Sequence, residues 1–395
     1  MNTWPYFEED EIAAVANVLT SGKVNYWTGT EGRNFEQEFA AYFGSEYAVA
    51  VGNGTLALEL ALRALDIGAH DEVIVPSRTF IATASAVVMV GAKPIVADVD
   101  YETQNITVET IQAVMTPNTK AIIVVHLGGW PCDMDAIIAF AKAHQLKVIE
   151  DCAQAIGAKW KGRYVGTFGD IGAFSFCQDK IISTGGEGGM VMTHQKALWD
   201  KMWSFKDHGK KHADVFSPPK ASGFRWLHSD FGSNYRMTEM QAAIGRIQLR
   251  KLSRWIQARQ DHAAVLMTAF EGINGMIVPK ISADIHHAFY RVFTLIDCDK
   301  LKEGWSRNRI MNEINQDGFY CNVGSCSEIY REEAFKKHGL QPSQPHKNAQ
   351  LLSEMSLVFL VHPTLNHSDL AFLSKRVASV MASAVQEKQS VLADL

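Results

Sequence analysis

FSFCQDKIISTGGEGG, residues 174–189, sets one lysine between a short run of alternating aromatics and four closely spaced glycines. Lysine is costly where a strand runs into a protein, because its ammonium needs water or a partner. Glycines this close mark a backbone that turns with φ > 0 or approaches something tightly. Lys180 is therefore either an ordinary surface residue on a loop or the reason the loop exists.

The chain around the stretch has a regular grammar. YAVAV (47–51), EVIVP (72–76), KPIVADV (93–99), AIIVVHL (121–127) and KVIEDC (147–152) read as strands. TLALELALRAL (55–65) and DMDAIIAFAKAHQ (133–145) carry apolar residues at helical spacing. This alternation predicts an α/β fold, a mainly parallel sheet covered on both faces, with ligands at the carboxyl ends of its strands. Residues 237–270 read as one long helix with room for a break, and beyond it the alternation is less regular. A large domain over 1–245 and a smaller C-terminal domain over 246–395 are expected.

At 395 residues, 47% hydrophobic and 21% charged, the composition is that of a soluble globular enzyme. A net charge of −5 argues against nucleic acid or an anionic membrane as the main partner. No apolar span approaches membrane length, and MNTWPYFEEDEIAAV lacks the basic start of a signal peptide. The six cysteines are scattered without a C-x-x-C pair, so no metal site is expected from spacing. A reduced, cytoplasmic protein is the expectation.

Several strand ends carry candidate chemistry. VGNGT (51–55) places Gly54 and Thr55 where a strand becomes a helix, a geometry that offers free N–H groups to a phosphate; the plain alternative is a tight turn with Thr55 as the helix cap. Phe80, closing VPSRTF, is a stacking platform or a core residue. Asp151 ends the apolar run KVIED, and Gln154 follows three residues later. As a buried carboxylate Asp151 needs a partner; alternatively the two are a cap and its capping-box residue. Ser175 stands five residues before Lys180. Jointly these pieces are what a phosphorylated pyridine aldehyde requires: a phosphate cradle, a planar aromatic, a carboxylate to keep the ring nitrogen protonated, and a lysine to form a Schiff base. On that reading the glycines let the backbone pass close to the cofactor, and Lys180 is the reason the loop exists.

The chain resembles the DegT/DnrJ/EryC1/StrS sugar aminotransferases, pyridoxal-phosphate enzymes of the aspartate-aminotransferase fold. The matching pieces are NGTLALELAL, DEVIVPSRTFIATASAV, VIEDCAQAIGAKWKGRYVGTFGDIGAFSF, the lysine of QDK, GGEGGMV and GSNYRMTEMQAAIG (232–245). The resemblance implies fold type I of the PLP-dependent transferases, with a mainly parallel central sheet flanked by helices and a smaller C-terminal α+β domain. It implies Lys180 as the Schiff-base lysine, Asp151 as the partner of the pyridinium nitrogen and Gln154 beside the ring hydroxyl. Phe80 matches the stacking position, and Gly54, Thr55 and Ser175 the phosphate-binding positions. Asn234 matches a phosphate ligand donated by the neighbouring subunit, which implies a homodimer with shared sites. Arg236 lies where the family meets substrate or, alternatively, in a dimer-interface ion pair. Relatives with histidine in place of Lys180 remove a sugar hydroxyl instead, so lysine favours transamination. The implied reaction moves an amine from an amino acid, L-glutamate by resemblance, to a nucleotide-linked keto sugar. C4 of an NDP-4-keto-6-deoxyhexose, such as a UDP-linked 2-acetamido sugar for surface polysaccharide, is the expected position, with C3 amination as the alternative. Where relatives carry a His-Tyr-x-Pro-x-His-like segment this chain has YCNVGSCSEIY (320–330).

Rivals from other classes fare worse. A dinucleotide enzyme needs G-x-G-x-x-G after a strand, and Gly166, Gly169 and Gly172 have the wrong spacing. A metal-dependent glycosyltransferase could use Asp98 and Asp100 at a strand end, against which stands the reading of both as turn carboxylates. A non-catalytic sensor would not need the lysine, carboxylate and phosphate site together.

Overall fold

The apolar runs read from the sequence pair into one seven-stranded sheet. The computed structural model describes residues 3–217, 225–316, 318 and 320–386. The strands are β1 (Tyr47–Val51), β2 (Glu72–Pro76), β3 (Lys93–Ala97), β4 (Thr119–Val125), β5 (Lys147–Asp151), β6 (Ile171–Ser175) and β7 (Gly189–Thr193). Their spatial order is β1-β7-β6-β5-β4-β2-β3. From β6 through β5, β4 and β2 to β3 every pairing is parallel. β7 runs antiparallel to both β6 and β1. Helices cover both faces, which is why β2, β4 and β5 are apolar on both sides rather than alternating.

The reversed strand positions the site. Gly189, first residue of β7, pairs with both Val51 and Ser175, the last residues of β1 and β6. The link from Ser175 to Gly189 therefore hangs over the edge where the parallel strands end, and it carries Lys180.

A second, antiparallel sheet is built from Met276–Ile277, Val292–Ile296, Ser356–Phe359 and Cys321–Asn322. Between the sheets runs one helix, Glu239–Phe270, capped by Thr238 and Gln241 in a reciprocal capping box. It has no break. Leu249, Leu252, Trp255 and Ile256 pack beneath the large sheet, and Ala263, Leu266 and Phe270 in the core of the small one. The division expected at 245/246 thus falls within a continuous helix, whose change of core comes after Ile256. Among the described residues no helix is long and apolar enough to cross a membrane.

Candidate active site

At the end of β1 the chain turns at once into the helix Gly54–Ala64. The cap is Asn53, whose side chain accepts the N–H of Leu56 at 2.9 Å, which removes the plain alternative of Thr55 as cap. Asn-Gly is the sequence signal for it. Thr55 is left exposed in the first helical turn, beside free backbone N–H groups. Gly54 packs directly on β6: a Cβ there would stand 2.6 Å from Cβ of Ser175. Gly54→Ala is accordingly expected to push Ser175 out of place, costing about 1–3 kcal/mol of stability and weakening cofactor binding about tenfold or more. Thermal melts and cofactor titration check both numbers. Among the glycines after Lys180, two serve the turn and one a close approach of backbone to backbone. Gly185 and Gly186 take φ of +81° and +114° in the turn, and Gly189 lies so close to Asn53 that a Cβ would stand 2.4 Å from its carbonyl oxygen. Gly189 thus approaches the turn that leads into the helix Gly54–Ala64.

Asp151 closes β5 and is buried, with no helix after it to cap. Its carboxylate accepts the N–H of Ala153 at 3.1 Å and the hydroxyl of Thr83 at 3.0 Å. Because the Thr83 hydrogen is used there, Thr79 donates to Thr83 across 2.9 Å. Burial raises the Asp151 pKa above the ordinary carboxylate value, while these hydrogen bonds and the nearby charge of Lys180 pull it down. Among the described residues no cation is ion-paired to it, so a cationic ring nitrogen would complete its surroundings. Gln154 is not a capping-box residue either. Its Oε1 accepts the N–H of Gly128 at 2.8 Å, and its Nε2 donates to Ser325 at 3.2 Å. Behind Asp151, His126 accepts the Cys132 N–H on Nδ1, which leaves its Nε2 hydrogen for Glu150 at 3.1 Å. Glu150 also accepts the N–H groups of Gly166, Phe168 and Gly169, and this network pins the end of β5.

Lys180 is held through its backbone: its N–H donates to Cys177 and its carbonyl accepts the Trp4 indole at 2.8 Å. The Nζ lies 3.6 Å from Asp179 and 4.9 Å from the centroid of the Tyr290 ring. Phe80 is 67% exposed, which excludes the core alternative. Seven of the nine candidate residues line one cavity of about 550 Å³: Gly54, Thr55, Phe80, Asp151, Gln154, Ser175 and Lys180. Gly324, Ser325 and Cys326, from the segment beside the small sheet, close its far side.

Asn234 and Arg236 are not on that lining. Asn234 bridges through its backbone to Asp207 and does not cap the long helix. Arg236 pairs with buried Asp207 of its own chain at 2.8 Å. Thr83, Ser325, Asp179, Tyr290 and Arg291 line the cavity without having been singled out in the sequence. For the rival metal site, Asp98 accepts the N–H groups of Asn348 and Ala349 at the start of a helix, and Asp100 those of Glu102 and Thr103. Both carboxylates are spent on turns and caps.

The model of the DegT/DnrJ/EryC1/StrS aminotransferase family matches residues 5–378. The chain belongs to that family. An aminotransferase from Psychrobacter cryohalolentis superposes on it with a TM-score of 0.95 at 52% identity, covering 97% of this chain and 99% of its own. A UDP-N-acetyl-3-dehydro-alpha-D-glucosamine 3-aminotransferase of Acidithiobacillus ferrooxidans is 44% identical over 94% of this chain and 93% of its own. A GDP-perosamine synthase of Escherichia coli O157:H7 is 44% identical over 68% and 71%. This chain is thus an aminotransferase with the fold expected of it, and family membership implies pyridoxal phosphate as cofactor. The cavity of the aminotransferase fits that group on three independent features: the loop Gly54 packs tightly, the buried carboxylate lacks a cation, and an exposed aromatic stands on the wall.

Proposed function

We propose that this chain transfers an amino group from an amino acid, L-glutamate, to C4 of a nucleotide-linked 4-keto-6-deoxyhexose, such as a UDP-linked 2-acetamido sugar, in the cytoplasm for surface polysaccharide. The observation that carries the reading is the convergence of the Lys180 amine, the Asp151 carboxylate and the Gly54–Ser175 contact on one cavity at the carboxyl ends of the strands. Pyridoxal phosphate, when bound, supplies an aldehyde and a ring that accepts an electron pair from the carbon losing its proton. Lys180 would be the residue that holds it covalently, and its Nζ, when free, would take the α-proton of the donor and return a proton to the sugar. Asp151 would keep the ring nitrogen protonated, Phe80 would offer a stacking face, and Gln154 would serve the ring hydroxyl. Gly54, Thr55 and Ser175 would hold the phosphate. Arg236 meets substrate or stabilises the subunit contact through its pair with Asp207.

Amination at C3 is a second reading, favoured by the Acidithiobacillus ferrooxidans 3-aminotransferase, which aligns over nearly the whole chain. Purified enzyme with L-glutamate and a panel of NDP-4-keto and NDP-3-keto sugars separates the two. Amination of the 4-keto panel alone is expected; turnover of 3-keto sugars alone would establish the second reading, and no turnover on either panel would remove the sugar acceptor.

We further infer that Asn234 of the partner subunit completes the phosphate site, so that the working form is a homodimer. Its absence from the cavity of its own chain supports this. Co-refolding a Lys180→Ala chain with a chain carrying Asn234→Trp tests it. With shared sites one of the two in each heterodimer collects both lesions and the other neither, so activity should reappear. Confirmed heterodimers without activity would place Asn234 in its own chain.

A further inference from the structure

Three residues on the cavity wall have no part in that reading: Asp179, Tyr290 and Arg291. Asp179 spans two cations. One oxygen lies 3.6 Å from the Lys180 Nζ, and the other 3.6 Å from Nη2 of Arg291. The Tyr290 hydroxyl donates to the same carboxylate and accepts Nη2 of Arg291 at 3.2 Å. The pairing of Arg291 with Asp179 is a single long contact, short of the two parallel bonds a guanidinium offers a carboxylate. Arg291 Nε is buried and has no hydrogen-bond partner. The guanidinium, lying over the Tyr290 ring with Tyr320 beyond it, thus keeps hydrogen-bond donors to spare on the wall of the cavity.

We infer that Arg291 binds the α-carboxylate of the amino-acid donor, and that Asp179 holds the guanidinium when no donor is present. The inference rests on the proposal that an amino acid gives up its α-proton to Lys180. The α-carboxylate is attached to the very carbon that loses that proton, so it must lie within reach of the Lys180 Nζ. Asp179 shows that a carboxylate fits between Lys180 and Arg291. A nucleotide diphosphate is attached at C1 of the sugar, two or three bonds from a reacting C3 or C4, and points further outward. The arrangement also explains how one cavity takes two unlike substrates. A sugar ring brings no carboxylate to this place, and Asp179 then keeps Arg291 paired instead of leaving a bare cation beside a neutral ring.

The test uses holoenzyme and the first half-reaction alone, followed by the change in near-visible absorbance on adding amino acid. Arg291→Gln is expected to raise the concentration of L-glutamate needed for half-saturation by about 10- to 100-fold, the scale of a lost charge-assisted hydrogen bond. Arg291→Lys should lose less, keeping the charge without the fork. L-isoglutamine, whose α-carboxylate is an amide, should bind wild type as weakly as L-glutamate binds Arg291→Gln and lose nothing further in the variant. L-glutamine, amidated at the γ position, should lose as L-glutamate does. Calorimetric binding of UDP and GDP should be unchanged. Unchanged saturation by L-glutamate in Arg291→Gln would overturn the assignment. So would a loss confined to UDP or GDP, which would make Arg291 a diphosphate ligand. Wild type that carries borohydride-fixed cofactor on Lys180 but reacts with no amino acid would instead remove the donor reading itself, and the role of Arg291 with it.

Discussion

Lys180→Ala is expected to lose turnover by roughly 10⁴-fold or more, the scale seen when a catalytic nucleophile is removed, while the chain stays folded. Both backbone hydrogen bonds of Lys180, to Cys177 and from Trp4, survive in alanine. Its side chain makes a 3.6 Å contact with half-exposed Asp179 and lies over the face of Tyr290, neither of which the fold depends on. Cofactor should still bind through the Gly54–Ser175 cradle, without the covalent link, so that its absorbance shifts from that of a Schiff base to that of the free aldehyde. Equilibrium dialysis with an absorbance spectrum, beside a thermal melt, separates these effects. Near-wild-type turnover in a folded variant would remove Lys180 from the chemistry.

The second large effect is expected at Asp151. Asp151→Asn keeps the size of the side chain; its one oxygen can accept the Ala153 N–H, and its Nδ2 then faces the Thr83 hydroxyl, which can turn to accept from it. What it loses is the charge. By analogy with neutralising an orienting carboxylate, activity should fall by roughly 10⁴-fold. The variant also carries a signature in pH. Burial raises the Asp151 pKa in the folded chain, so its ionised form costs stability above that pKa and protonation relieves the cost as pH falls through it. A cationic ring nitrogen reverses the balance by favouring the carboxylate. Cofactor affinity should therefore weaken as pH drops through the raised pKa, and in Asp151→Asn this dependence should vanish. Cofactor titrations across mildly acidic pH read it directly. A variant with most of its activity and an unchanged pH dependence would make Asp151 structural.

Much of this was legible in local pattern. β1 to β5 show as apolar runs because the sheet is covered on both faces, and Lys180, Asp151 and Phe80 stand at or just beyond strand ends. Direction was not legible. GMVMT (189–193) has the same residues whether it runs parallel or antiparallel, and only pairing with β1 and β6 shows the reversal that hangs Lys180 over the site. The cap alternative stayed open at Asp151 and Gln154 because Asp and Gln before a polar turn look the same whether a helix follows or not. Asp151 instead closes a turn onto Ala153, and Gln154 reaches Ser325, 171 residues away in sequence. Arg291 had no signal at all, since in FYRVF it reads as one polar residue in a short strand. Contacts of such separation are set by how the small sheet packs on the large one, which no local window contains.

Lys180 is expected to hold the cofactor in this cavity. Holoenzyme reduced with borohydride, digested and mapped by mass spectrometry should carry the reduced cofactor on Lys180, at one per chain, and lose it in Lys180→Ala. Cofactor fixed to another lysine, such as Lys206 or Lys210, or no fixation in an enzyme that turns over, would contradict this assignment.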